Sequence, residues 1–180
     1  LGVVFVSVES GLLLGVLLSI GFFVRRSSRP HIAIVGRIGS SHQFRSTKRH
    51  QVETFDPITA IRIDENLYFA NANQIENRLD KIISQKTGTR HLLMVFSSIS
   101  FIDTTGLEML MRISQNLETR NIKLHLSEVK GPVMDQLENS DFLNTLTGSL
   151  YFSTDQAMRE LQKEIDPYRV KQHEIDLGMP

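Results

Sequence analysis

Within SFIDTTGLEML (100–110), the run Asp103-Thr104-Thr105-Gly106 offers one carboxylate, two hydroxyls and a glycine between an apolar lead-in and a helical pattern. Three chemistries fit it. Asp103 or Thr104 can cap the free N–H groups of a helix start, with Gly106 allowing close packing. Thr104 or Thr105 can accept a phosphoryl group, which the helix dipole favours and Asp103 repels. A bound nucleotide is the third use. It has the least support, because the chain holds no Gly-x-x-x-x-Gly-Lys loop and one glycine makes a poor cradle.

No other stretch offers a catalytic set. His31, His42, His50 and His91 lack the spacing of a metal site, and no His-x-x-x-His occurs. There is no Gly-x-Ser-x-Gly nucleophile elbow. Cysteine is absent, which removes disulfides, thiol chemistry and cysteine metal sites. The expectation is no enzyme, no metal and no cofactor. Formal net charge is +0, so nothing global points to nucleic acid. Charge is uneven, however. From Arg25 to His50 the basic residues Arg25, Arg26, Arg29, Arg37, Arg45, Lys48 and Arg49 meet no Asp or Glu. Arg25, Arg26 and Arg29 read as topology determinants, and Arg45, Lys48 and Arg49 as candidates for contact with anionic lipid.

The elements that position these residues divide in two. Leu1–Val24 is apolar with one charge, Glu9, and as a single helix would reach roughly 36 Å, enough to cross a membrane. Glu9-Ser10-Gly11 interrupts it, and the alternative is a tight turn there followed by a short second segment, Leu12–Val24. RRSSR (25–29) follows the apolar run, the reverse of a secretory signal, and places what comes next in the cytoplasm. The opening inside an apolar run, on Leu, reads as a piece of a longer protein. Residues 1–26 are thus expected to end a membrane domain, with 27–30 as juncture.

Beyond Pro30 the pattern is α/β. Strands are expected at His31–Gly36, Ile58–Asp64, His91–Ser98 and Ile122–Val129, with a short edge strand at Leu150–Ser153. Glu65-Asn66 reads as a hairpin turn into a further strand, Leu67–Ala70. The basic stretch 37–56 reads as a long connection of marginal structure. A helix capped by Asn71 with Gln74 carries Ile75, Leu79, Ile82 and Ile83 on one face and closes at Gly88. The next begins at the DTTG turn, buries Leu107, Leu110, Ile113 and Leu117, pairs Glu108 with Arg112 on its exposed side, and ends at Asn121. Gly131-Pro132 opens a third helix, and Ser153 with Gln156 a last one containing Ala157, Met158 and Leu161. The tail 166–180 lacks a period and reads as disordered. Alternating strands and helices give a mixed, mostly parallel sheet with hairpin strands at one end.

Three stretches together, RSSRPHIAIVGRI, AIRIDENLYFANANQIENRL and FSSISFIDTTGLEML, resemble the C-terminal part of a SulP-type anion permease. Such permeases end in a cytoplasmic STAS domain, a fold shared with bacterial anti-sigma factor antagonists. The likeness covers roughly Leu1–Leu161. It implies a STAS-like sheet over 31–165, preceded by the last helices of a multi-pass domain in the plasma (inner) membrane. The function it implies is secondary anion transport, with sulfate as first cargo and bicarbonate or a dicarboxylate as rivals. The substrate site of such permeases lies earlier in the membrane domain. A homodimer, the protein's own membrane domain, membrane lipid and a cytoplasmic regulatory protein are the implied partners. In the antagonists the second hydroxyl of the motif is a phosphorylated serine. Thr105 holds that position here, with Thr104 before it, so both depart from serine. The contrasting possibility is a free phospho-regulated switch of the antagonist type, for which Leu1–Val24 has no use.

Overall fold

The computed structural model describes residues 8–27 and 30–165. Helix α1, Val8–Ser27, is continuous through Glu9, Ser10 and Gly11, so the tight turn expected there does not form. Glu9 lies in the first turn, where a carboxylate complements the helix dipole instead of interrupting the run. Twenty residues at 1.5 Å each give about 30 Å, the thickness of a bilayer's hydrocarbon core. The window Val8–Arg25 has a mean hydropathy of 1.7 and none of it is buried against the rest of the chain. Residues 1–7 and the tail 166–180 lie outside the described residues.

The remaining chain builds one sheet in the order β2-β1-β3-β4-β5-β6. Its strands are β1 (Ile32–Arg37), β2 (Phe44–Ser46), β3 (Ile58–Ile63), β4 (His91–Val95), β5 (Lys123–Ser127) and β6 (Leu150–Tyr151). β1 is antiparallel to both β2 and β3, whereas β3 to β6 run parallel. Helices α2 (Ala72–Gln85), α3 (Thr104–Thr119), α4 (Gly131–Glu138) and the four-residue α5 (Phe142–Thr145) share one hydrophobic cluster, and α6 (Thr154–Ile165) belongs to another.

Alternation along the strands produces these two layers. Ile61, Ile63, Leu92, Met94, Leu124 and Leu126 meet Ile75, Leu79, Leu110 and Ile113 on the first face. Ala33, Val35, Ala60, Leu93 and Val95 meet Ala157, Met158 and Leu161 on the second. β4 is buried along its whole length, as its apolar run requires. α3 stops in a Schellman motif: Asn121 has φ 56°, its N–H donates to Glu118 O, and Ile122 N–H donates to Leu117 O. Ser153 caps α6, its Oγ accepting from Gln156 N at 3.1 Å.

Several expected elements are corrected. Leu67–Ala70 is not a hairpin strand. Leu67 forms an isolated parallel bridge with Ile102, and the partners of β3 are β1 and β4. The basic stretch is not structureless, because it supplies β2 and an antiparallel bridge from Arg37 to Glu53. Arg37 itself ends β1. Asn71 does not cap α2 through its side chain. α2 ends at Gln85, before Gly88. Arg112 turns from Glu108 to Glu76 on α2, 3.0 Å away, because that flank of α3 faces the neighbouring helix.

Candidate functional site: the turn that opens α3

Asp103 is extended (φ −97°, ψ 177°) and caps α3, its Oδ1 accepting from Gly106 N at 2.8 Å. Its Oδ2 accepts from Phe69 N at 2.9 Å, so one carboxylate ties the helix start to the loop after β3. The same seam is stitched by the backbone: Leu67 N–H donates to Phe101 O, and Asp103 N–H donates to Leu67 O. Gly106 lies where this seam is tightest. A Cβ there would come within 2.7 Å of Leu67 O and 2.9 Å of Ile102 Cγ1, closer than real side chains stand.

Two asparagines lock the loop that receives the turn. Asn66 Oδ1 accepts from Ser100 N (2.8 Å) and Phe101 N (3.1 Å). The fully buried Asn71 donates through Nδ2 to Asn66 O (2.7 Å) and accepts from Tyr68 N (3.1 Å). Lys130, after β5, reaches Ser100 Oγ at 2.9 Å. At the end of β3, Asp64 accepts from Arg62 Nε (2.6 Å) and pairs with His31 Nδ1 (2.8 Å). Burial raises the Asp64 carboxyl, but these hydrogen bonds and charges outweigh it and hold the group below its ordinary value.

Thr104 is exposed at the first helical position and Thr105 is half-buried beside it. Neither hydroxyl has a hydrogen-bond partner among the described residues, and their N–H groups likewise have no acceptor there. Phe69 and Phe101 stand 68% and 55% exposed on the loops flanking the turn. What the site presents is therefore a capped helix start with two free hydroxyls and two apolar rings.

Of the other residues singled out in the sequence, Arg25 is exposed at the end of α1, and Arg29 lies outside the described residues. Arg45 projects from β2 and donates to its neighbours Phe44 O and Gln43 Oε1. Lys48 and Arg49 are exposed in the turn after β2. None of these lies in the seam around the DTTG turn. Sequence reasoning missed Asn66 and Asn71 as loop locks. The signal was their placement around LYFA, but Asn66 also reads as an ordinary turn residue and Asn71 as a helix cap.

Sheet order and seam together define an α/β domain of the STAS type. The STAS domain family matches residues 49–162, and the chain belongs to that family. Curated relatives carry the likeness beyond the domain. Sulfate transporter 3.1 of Arabidopsis thaliana is 32% identical over 82% of this chain and 24% of its own length. Sulfate transporter 1.3 of the same plant is 29% identical over 85% of this chain and 25% of its own. The chain thus spans about a quarter of the length of the curated relatives it matches, and the resemblance to SulP-type permeases is borne out. Among solved structures, the murine solute carrier 26 family member A9 anion transporter superposes with a TM-score of 0.73 at 17% identity, covering 86% of this chain and 26% of that one. The SulP transporter STAS domain from Vibrio cholerae gives 0.53 at 20% identity, covering 66% and 91%. An anti-sigma factor antagonist from Mycobacterium paratuberculosis gives 0.51 at 16% identity, covering 61% and 90%. These structural likenesses concern the fold.

Proposed function

We propose that this chain is the C-terminal part of a secondary anion transporter in the plasma (inner) membrane, with sulfate as its cargo. Residues 1–26 would close the membrane domain, and 31–165 form a cytoplasmic STAS domain. The observation that carries this reading is the union, in one chain, of a STAS sheet with an exposed apolar helix about 30 Å long. Arg25, Arg26 and Arg29 then fix which end of that helix faces the cytoplasm. The domain's own role is regulation, through dimerisation, docking on the membrane domain or binding a cytoplasmic protein. The exposed Phe69 and Phe101 support a docking role, and no reaction is assigned to the chain.

The test is uptake of radiolabelled sulfate by cells expressing the full-length protein. Saturable uptake, strongly reduced when residues 30–180 are deleted, is the expected result. Absence of saturable sulfate uptake, with uptake of radiolabelled bicarbonate or a dicarboxylate in its place, would transfer the reading to the rival cargo. Unchanged transport and trafficking after the deletion would contradict a regulatory domain. A second reading, a phospho-regulated switch like the antagonists, has the shared fold and the unpartnered hydroxyl of Thr105 in its favour. The apolar α1 argues against a freely soluble switch, although Thr105 can still act as one inside a transporter.

A further inference from the structure

On the α2 face of the sheet, β1 is left partly uncovered. Ile34 is half-exposed there, and between β1, the turn after β2 and α2 lies a groove of about 590 Å³. Its apolar side is Ile32, Ile34 and Ile82, and its cations are Lys48, Arg78 and Lys81. No carboxylate lines it. The charges of α2 are sorted by face. Glu76 and Asp80 turn to α3, where they pair with Arg112 (3.0 Å) and Arg120 (3.5 Å). Arg78 and Lys81 lie on the groove side of the same helix with Gln74 and Gln85, a stripe at helical spacing. Among the described residues none of the three groove cations forms an ion pair.

Three uncompensated cations over an apolar floor suit an amphiphilic anion. Position selects its source. Ile32 follows the last residue of α1, Ser27, by five residues, and five residues span at most about 18 Å. The groove is therefore held near the end of the membrane helix. We infer that it binds the anionic headgroup of a membrane lipid, with Lys48, Arg78 and Lys81 on the phosphate and the three isoleucines against the glycerol and upper chain. This rests on the reading of α1 as membrane-spanning. Its cations come from the turn after β2 and from α2, and it shares only Lys48 with the contiguous basic run Arg45, Lys48 and Arg49.

The 180-residue chain is placed in nanodiscs of phosphatidylcholine alone or mixed with phosphatidylserine, and backbone hydrogen exchange is followed. Phosphatidylserine is expected to slow exchange over 74–85 about fivefold or more, given the attraction of each basic group to an anionic leaflet. The slowing should fade at high salt and vanish in R78Q/K81Q. R112Q/R120Q, which removes the same charge from ion pairs outside the groove, should keep the ratio between the two lipids. Equal loss in both double variants would overturn the groove in favour of diffuse attraction. The same slowing by inorganic phosphate over phosphatidylcholine would overturn the lipid as its source. Protection of 8–25 in either nanodisc reports insertion of α1. If those amides are protected while 74–85 ignores phosphatidylserine, the groove assignment fails and the membrane reading stands. If 8–25 is unprotected, the membrane reading fails first.

Discussion

Asp103 engages both carboxylate oxygens with backbone donors, one on its own helix and one on the loop after β3. Asp103→Ala strands two N–H groups and should lower stability by about 2–4 kcal/mol, read as a shifted denaturation midpoint. Asp103→Asn keeps one acceptor oxygen and should cost roughly half as much. The buried pair His91–His125 is equally constrained. Ser149 N–H donates to His125 Nδ1 at 3.0 Å, so that nitrogen carries no proton. His125 Nε2–H must then donate to His91 Nδ1, 3.1 Å away, which puts the His91 proton on Nε2. Burial, and then the charge of His91, lower the His125 pKa to about 4. The unfolded chain takes up this proton near the ordinary histidine value of 6.5, so between pH 6.5 and 4 the unfolded state binds more protons. Stability should therefore fall as pH falls through that window. Asp64, with its lowered pKa, loses its contribution in the same direction at still lower pH. His125→Leu should flatten the loss between pH 6.5 and 4, while costing about 1–3 kcal/mol at pH 7 because Ser149 N–H is orphaned. A pH slope unchanged in His125→Leu would rule out His125 as its origin.

At the level of elements, β2 and its turn show what periodicity cannot reveal. The stretch 37–56 is polar and basic, and only its end points explain why it is ordered. Arg37 is 11% exposed, lies 5.7 and 6.0 Å from the ring centroids of Phe44 and Phe55, and pairs with Asp155 of α6 at 2.8 Å. That contact lacks hydrogen-bond geometry, so Arg37 and Asp155 Oδ1 attract each other as charges without a hydrogen bond between them. His42 and Arg159 reach the other oxygen of Asp155 at 2.8 and 3.1 Å. Sequence position separates Arg37 from Asp155 by the whole domain, and the i,i+4 pair of Asp155 with Arg159 gives no sign of Arg37. Asp155→Asn should destabilise by about 3–5 kcal/mol, since it leaves Arg37 buried and uncompensated. Arg159→Gln, at an exposed end of the same cluster, should cost under about 1 kcal/mol. Similar losses for the two variants in urea denaturation would mean that Arg37 relaxes to solvent. The expected hairpin at Leu67–Ala70 failed for a related reason. Leu67 buried, Tyr68 half-buried and Phe69 exposed imitate a strand, but Asn66 and Asn71 side chains occupy the backbone groups a ladder would use.

For the whole molecule, the parallel strands, the helix faces and the DTTG cap were legible because burial imposes a period on them. The seam joining 66–71 to 100–103 was not, since it is built from hydrogen bonds between loops thirty-odd residues apart. That seam decides how a charge at Thr105 would be felt. Asp103 holds Phe69 N–H and Gly106 N–H at once, and a second negative charge two residues along α3 repels the carboxylate that does so. Thr105→Asp should therefore loosen the loop 66–71, seen as hydrogen exchange accelerated about fivefold there at an energetic cost of about 1 kcal/mol. On the proposed transporter reading, in which the exposed Phe69 of that loop helps dock the domain, sulfate uptake by the full-length protein should fall as well. Thr105→Val preserves shape without charge, and should leave exchange and uptake close to those of the parent. Gly106→Ala separates charge from geometry: it forces the same seam apart sterically, and should mimic Thr105→Asp in both measurements. If Thr105→Asp and Gly106→Ala both loosen the loop while uptake is unchanged, the seam is structural only and Thr105 is not a switch.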